Sequence, residues 1–325
     1  MRDHPQRIPV VLLTGFLGAG KTTLLNDLLR LPTFRDTAVV INEAGDVGID
    51  HALIETGSDD VFLLEGGCIC CRLRGSLNTT LNGLLRRRAV EGVGFKRVVV
   101  EASGLADPAP ILHALVADPL FNRHFVLAGV TAVVDALNFS DTLAHHAEGV
   151  TQVALADRIL ITKTDLASPA ALAKVEGEVA ALNPEAELHL LSLQNRDGGM
   201  LWIDALRAAR REPRSVSMPG DVSHDVSTVA LSFPGRLSRE AIDEWLDRTD
   251  ELFGAALLRL KGILWLEDLD APVVLHGVQG LVYSPGTLAD ATTGDNRIVL
   301  IAREIEGQDL ADALTLLAGF ATIES

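Results

Sequence analysis

The chain has 325 residues, 48% hydrophobic and 4% aromatic, which gives ample aliphatic material for buried cores and a length that suits two domains rather than one. Its formal net charge is -16, and no basic stripe with interleaved aromatics stands out, so nucleic acid and anionic membrane surfaces are not expected partners. No stretch has the length and apolarity of a membrane span, residues 1–9 lack the apolar core of a secretory signal, and three clustered thiols with no others to pair point to the reducing cytoplasm.

In chain order, residues 8–14 are an apolar, β-branched run that predicts a buried strand, and Leu24, Leu25, Leu28 and Leu29 predict a helix over 22–30. Between them Gly15-Phe16-Leu17-Gly18-Ala19-Gly20-Lys21-Thr22 matches G-x-x-x-x-G-K-S/T in the strand, loop, helix context that such a phosphate loop requires. Backbone N–H groups across Gly15, Gly18, Ala19 and Gly20 would close around phosphates at the helix N-terminus. Lys21 would reach the β and γ oxygens, Thr22 would offer its hydroxyl to Mg(II), and Thr23 would take the α-phosphate.

Residues 38–41 read as a second strand, followed by the acid-rich, glycine-punctuated loop 42–50, in which Glu43 and Asp46 are candidates to contact a metal or the attacking water. The only three cysteines then fall within four positions, Cys68, Cys70 and Cys71, behind Gly66-Gly67. Strand spacing would turn Cys68 and Cys70 to one side, and paired thiolates suit Zn(II), Cu(I) or a similar thiophilic ion. No second cysteine pair exists to close a four-ligand structural zinc site, and the spacing is not the Cys-x-x-Cys of a redox dithiol. An incomplete thiolate site is what transfer of an ion would need.

A helix expected from about Leu77 ends in Arg86-Arg87-Arg88, cations that complement its C-terminus. After a strand at 97–100 come Glu101, the candidate Mg-side carboxylate, and Ala102-Ser103-Gly104, where Gly104 would let a switch segment approach the γ-phosphate. A strand at 129–134 precedes His145-His146 and Glu148, which read as a helix surface rather than a ligand set. The strand at 158–161 runs into Thr162-Lys163-Thr164-Asp165, where GTPases carry Asn-Lys-x-Asp. Asp165 can accept from the ring N–H and exocyclic amine that adenine lacks, and the Lys163 stem can lie on the base. Thr162 in place of Asn weakens one polar contact, and Ser192, after a strand at 188–191, would close the base pocket.

These alternating runs predict a doubly wound, mostly parallel α/β sheet with ligand residues beyond the carboxyl ends of its strands. A shift to Pro, Ser and Gly around 211–225 reads as a linker, giving a P-loop domain over 1–211, a linker over 212–227 and a smaller α+β domain over 228–325. The latter is expected to have strands at 228–233, 256–266, 273–276 and 297–302 and helices at 238–252 and 309–320.

Taken together, the phosphate loop through Thr23, Asn42-Glu43-Ala44-Gly45, Gly67-Cys68-Ile69-Cys70-Cys71, Glu101-Ala102-Ser103-Gly104 and Thr162-Lys163-Thr164-Asp165 resemble, in order and spacing, the CobW-like P-loop GTPases. Arg259-Leu260-Lys261-Gly262, His276-Gly277-Val278-Gln279 and Arg297-Ile298-Val299-Leu300-Ile301 are similar to strand motifs of that family's C-terminal domain, so the resemblance spans essentially the whole chain. It implies a cytoplasmic metallochaperone in which GTP and Mg(II) preorganise the Cys-x-Cys-Cys site, Zn(II) or Co(II) loads there, and hydrolysis releases it to a metal-requiring client protein. Catalytic roles are expected for Lys21, Glu43, Glu101 and Gly104, and a monomer or weak homodimer is expected. The His-rich tract of many relatives is missing, since 211–225 holds only His224. A regulatory GTPase or assembly factor with structural cysteines stays open. A small-molecule kinase is disfavoured by Asp165.

Overall fold

The computed structural model describes residues 7–34, 36–42, 54–55, 61–64, 69–72, 77–92, 94–191, 226–288 and 294–322. The chain separates into two compact units. One takes in the described residues up to 152, 156–172 and 187–191, and the other takes in 153–155, 173–186 and the described residues from 226 on.

The first unit is built on β1 (Ile8–Thr14), β2 (Thr37–Asn42), β3 (Ile54–Glu55), β4 (Val61–Leu64), β5 (Ile69–Arg72), β6 (Arg97–Ala102), β7 (Phe125–Asp135), β8 (Arg158–Thr162) and β9 (Glu187–Leu190). They form one sheet in the order β3-β4-β5-β2-β6-β1-β7-β8-β9. Every neighbour pair from β5 to β9 is parallel, while β3 and β4 pair antiparallel at one edge. Val10, Leu12, Leu13, Val39, Val40, Val98, Val99 and Val100 are fully or almost fully buried, as strands covered on both faces must be. The intervening helices are α1 (Lys21–Leu29), α2 (Leu77–Val90), α3 (Pro108–Val116), α4 (Pro119–His124), α5 (Phe139–His145), α6 (Ala147–Ala154) and α7 (Pro169–Leu182), the last lying mostly in the second unit. Helices α3 and α4 begin alike: Asp107 and Asp118 accept from the amides of Ala109 and Leu120, and a proline sits in the first turn, where no N–H is missed. Arg86 to Arg88 lie in the last turns of α2, where Arg88 stands over the Phe95 ring, as the charge argument anticipated.

The expected strands and helices of the C-terminal part are present, with one addition. The second unit contains β10 (Val226–Phe233), β11 (Leu257–Leu264), β12 (Val273–Val278), β13 (Leu281–Thr287) and β14 (Asn296–Arg303), ordered β10-β14-β11-β12-β13 and antiparallel throughout. Strand β13 was not legible because Ser284-Pro285-Gly286 interrupts its β pattern; it lies at the sheet edge, where a residue without N–H is tolerated. Helices α8 (Arg239–Phe253, capped by Ser238) and α9 (Gly307–Gly319) close the core around Trp245, Leu300, Leu310 and Leu317, and the Trp245 indole donates to the Ala313 carbonyl at 2.7 Å. The fully buried Asn296 accepts from the Trp265 amide and donates to the carbonyls of Phe233 and Gly235, joining a strand to two loops. Most of the anticipated linker, 212–227, lies outside the described residues; Val226 and Ser227 already belong to β10. Among the described residues no helix is long and apolar enough to cross a membrane.

Also in the second unit, both carboxylate oxygens of Glu185 are shielded from water and without hydrogen bonds. Burial pushes its pKa up, against the attraction of Lys261, Arg259 and Arg297. An acid whose pKa is raised on folding contributes stability at low pH that is lost as pH rises through the folded value. Glu185→Gln is therefore expected to melt at a higher temperature than the parent at about pH 8, with the gap closing near pH 4. Equal melting curves at both pH values would refute the assignment.

Candidate functional site

Strand β1 lies between β6 and β7, where the strand order reverses, and a crevice at the carboxyl end of such a strand is the usual ligand position in an open α/β sheet. The phosphate loop occupies this point. Gly15, at φ 138°, passes so close to β7 that a Cβ there would sit 2.3 Å from the Val133 carbonyl oxygen, so only glycine lets the loop leave the strand. Gly20, at φ 99°, opens α1, and the buried Lys21 turns its ammonium back onto the carbonyls of Gly15 and Phe16 at 2.8 and 3.2 Å. That contact folds the loop back on itself, and the Ala19 amide closes it further by donating to the Phe16 carbonyl at 3.2 Å. Thr23 is exposed at the next position.

On the β6 side the Thr22 hydroxyl donates to Glu101 Oε1 at 2.8 Å, and Glu101 is fully buried at the end of its strand. The two expected Mg-side groups are therefore adjacent. Their donor set is oxygen only, which fits a hard ion such as Mg(II), held by Thr22 and by Glu101; when bound, such an ion would offset phosphate charge.

Beyond Glu101, Gly104 is pressed against the phosphate loop: a Cβ on it would lie 2.8 Å from the Leu17 amide nitrogen and 2.6 Å from Leu17 Cδ2. The buried Gln152 of α6 donates to the carbonyls of Gly104 and Ala106, both at 3.1 Å, and so fixes that segment. Nothing in the sequence around Gln152 signals this role, because the partner is 48 residues away.

On the β7 and β8 side, the Thr162 hydroxyl donates to the Ala19 carbonyl at 2.7 Å, tying the base motif to the phosphate loop, and Thr164 donates to the Leu191 carbonyl at 3.0 Å. Lys163 adopts φ 58° and its ammonium meets Asp135 at 2.5 Å, while Asp165 is exposed. Asp135 escaped the sequence reading although it follows an apolar strand just as Glu101 does. Burial pushes its pKa up, but hydrogen bonds from Lys163, the Leu137 amide and Asn138 outweigh this and hold it below the usual carboxylate range.

The structure thus brings together Gly15, Gly18, Ala19, Gly20, Lys21, Thr22, Glu101, Gly104, Thr162 and Lys163. Glu43, Asp46, Cys68 and Ser192 lie outside the described residues. Cys70 and Cys71 occupy β5, with Cys70 beside Val39 and Cys71 beside Val40 of β2. Among the described residues no group of three His, Cys, Asp or Glu could hold a metal. His145 is exposed beside Asp141, in keeping with a helix surface, whereas the His146 ring packs on Phe16 of the phosphate loop with centroids 4.4 Å apart.

The close approach at Gly104 yields a direct test. Gly104→Ala is expected to slow GTP turnover roughly ten- to hundredfold by displacing this segment, with GDP affinity unchanged, because a misplacement of about 1 Å has that cost. Stopped-release phosphate assays alongside GDP binding would check it, and parental turnover would show that the contact is irrelevant to the chemistry.

The family described as CobW/HypB/UreG, nucleotide-binding domain, matches residues 9–189, and the cobalamin synthesis protein cobW C-terminal domain matches residues 226–317. The chain is 34% identical over 284 residues to the zinc chaperone YjiA of Escherichia coli, covering 84% of this chain and 87% of that one. It is 32% identical over 188 residues to zinc-regulated GTPase metalloprotein activator 1 of Schizosaccharomyces pombe, covering 56% of this chain and 45% of that one. The crystal structure of Zn(II)-bound YjiA GTPase from E. coli superposes with a TM-score of 0.76 at 27% identity, covering 98% of this chain and all of the other. With its phosphate loop, its flanking carboxylate and its C-terminal sheet unit all accounted for, the chain belongs to the CobW/HypB/UreG family of nucleotide-binding proteins, in the form that carries the cobW C-terminal domain.

Proposed function

We propose that this protein is a GTP-hydrolysing metallochaperone that takes Zn(II) or Co(II) as cargo at Cys68, Cys70 and Cys71 and hands it to a metal-requiring client protein. The named relatives, a zinc chaperone and a zinc-regulated GTPase metalloprotein activator, support Zn(II) as cargo and a metalloprotein as client. The single structural observation that carries the reading is the register of three adjacent strands. Cys71 pairs with Val40, Val40 with Val100, and the next row holds Arg72, Ile41 and Glu101. At the usual strand spacing the cysteine backbone therefore lies about 10 Å from the Mg-side strand, joined to it by continuous ladders.

That register also refines the expected layout. Cys70 and Cys71 are inside β5, one row or more before the row of Glu101, rather than beyond the strand's carboxyl end. Nucleotide state would reach them through β2 and the Glu43 loop. In this mechanism Lys21 and the loop amides bind the triphosphate, Gly104 and Glu43 respond to its γ-phosphate, and Asp165 with Lys163 and Ser192 selects guanine. The competing reading, a regulatory GTPase whose cysteines are structural, draws support from the pairing of β5 on both sides, with β2 and with β4.

Titration of Zn(II) and Co(II) into the reduced protein, with and without Mg(II) and a non-hydrolysable GTP analogue, separates the two. Because coupled sites change each other's affinity equally, the analogue is expected to tighten metal binding by about tenfold or more. Replacing Cys68 and Cys70 by Ser should remove tight metal binding and leave GTP binding intact, and binding should weaken as pH falls because thiolates must be deprotonated. Metal affinity indifferent to both nucleotide and the cysteine changes would favour the regulatory reading.

A further inference from the structure

The carboxyl ends of β7 and β8 are side by side, Asp135 opposite Thr162, and the Ala136 amide donates to the Thr162 carbonyl at 3.1 Å. Asp135 is only 8% exposed, and three donors converge on it. The Leu137 amide reaches Oδ1 at 2.8 Å, and Asn138 Nδ2 and Lys163 Nζ reach Oδ2 at 2.7 and 2.5 Å. The first two bonds are local and orient the carboxylate. The third crosses to the neighbouring strand and captures the end of a side chain whose backbone is itself held in the left-handed region, at φ 58°, where a non-glycine residue stays only when its surroundings impose it. Lys163 is thus fixed at both ends, with its methylene stem between them.

A lysine that lies on a purine ring only after the ring arrives must give up rotamer freedom at that moment, which weakens binding. Here that freedom is surrendered on folding. We propose that Asp135 is a positioning residue for the nucleotide base: by anchoring Lys163 it presets the lysine stem as an apolar platform for a purine before any nucleotide binds. The inference rests on the base-site reading given above and adds to it a residue that never touches the ligand. A merely structural ion pair would stabilise the fold and treat all ligands of the phosphate loop alike. A positioning pair acts only on ligands that carry a base.

The test uses the full chain, a fluorescent GDP analogue and inorganic tripolyphosphate, which engages the phosphate loop alone. Asp135→Asn keeps the shape and the Leu137 contact but presents an amide where Lys163 needs an acceptor. It is expected to weaken GDP about tenfold, the effect of losing one charged hydrogen bond, while tripolyphosphate affinity is unchanged and KM for GTP rises at constant kcat. Added to Lys163→Ala, it should have no further effect, since it acts through that residue. Parental GDP affinity, an equal loss for tripolyphosphate, or full additivity with Lys163→Ala would each overturn the proposal. Should Asp135→Asn fail to fold, Lys163→Met decides, because it keeps an apolar stem but removes the ammonium that Asp135 anchors: a base-dependent loss supports the positioning role, and parental GDP affinity overturns it. Asp165→Asn separates the two readings. If it abolishes GDP binding while Asp135→Asn has no effect, the positioning role falls alone; if it leaves GDP binding intact, the base-site reading falls and takes the positioning role with it.

Discussion

The parallel pairing of β1 with β6 on one side and β7 on the other is the constraint from which the rest of the site follows. In a close-packed sheet the ladder fixes which residues stand side by side, and a slip of one residue would send every side chain to the other face, into spaces shaped for different neighbours. With Leu13 opposite Glu101 and Thr14 opposite Ala132, the chain leaves β1 into the phosphate loop beside an acid of β6 on one side, while β7 runs on to Asp135 on the other. In the proposed site the groups that would meet the nucleotide or the ion come from three strand ends: the loop after β1 would supply amides and Lys21, β6 Glu101, and β8 the base motif. The chemistry is assembled by backbone pairing, and the side chains need only be the right length.

The loops around that edge are tied to one another as well as to the sheet. Thr162 bonds to Ala19, Lys163 to Asp135, Gln152 to Gly104, and Thr22 to Glu101. Each tie joins residues distant in sequence, and each is made by a polar side chain that is buried or half-buried, where leaving a partner unmatched costs about 1–3 kcal/mol. A segment held in this way has few arrangements open to it, which is the property a nucleotide-responsive loop needs if its response is to be all or none.

Much of this was legible in the chain and some was not, for reasons that differ. The phosphate loop and the Thr-Lys-x-Asp motif could be read because their chemistry is local: glycines, a lysine and a threonine at fixed offsets after an apolar strand. Asp135 followed such a strand too, but one acid at a strand end carries no signature until its partner is known to lie on the next strand. Gln152 could not have been found, since a glutamine in a helix says nothing of the carbonyls it meets. The second sheet was read from four of its strands, and β13 was lost to a proline that only an edge position permits. His146 is exposed, as the helix-surface reading expects, and only its ring contact with Phe16 lay beyond the sequence.

Thr162 has one hydroxyl proton, and the phosphate loop has claimed it: the Ala19 carbonyl at 2.7 Å, with the Val134 carbonyl at 3.2 Å behind it. It has no second donor to offer a purine oxygen, as an asparagine amide at this place would. In the base-site reading proposed here, preference for guanine is then concentrated in Asp165, an exposed residue outside the buried network. Grip on the triphosphate and choice of base become separate inheritances. A descendant of this chain could drift in the nucleotide it prefers through a single surface position while its phosphate-handling machinery stayed untouched.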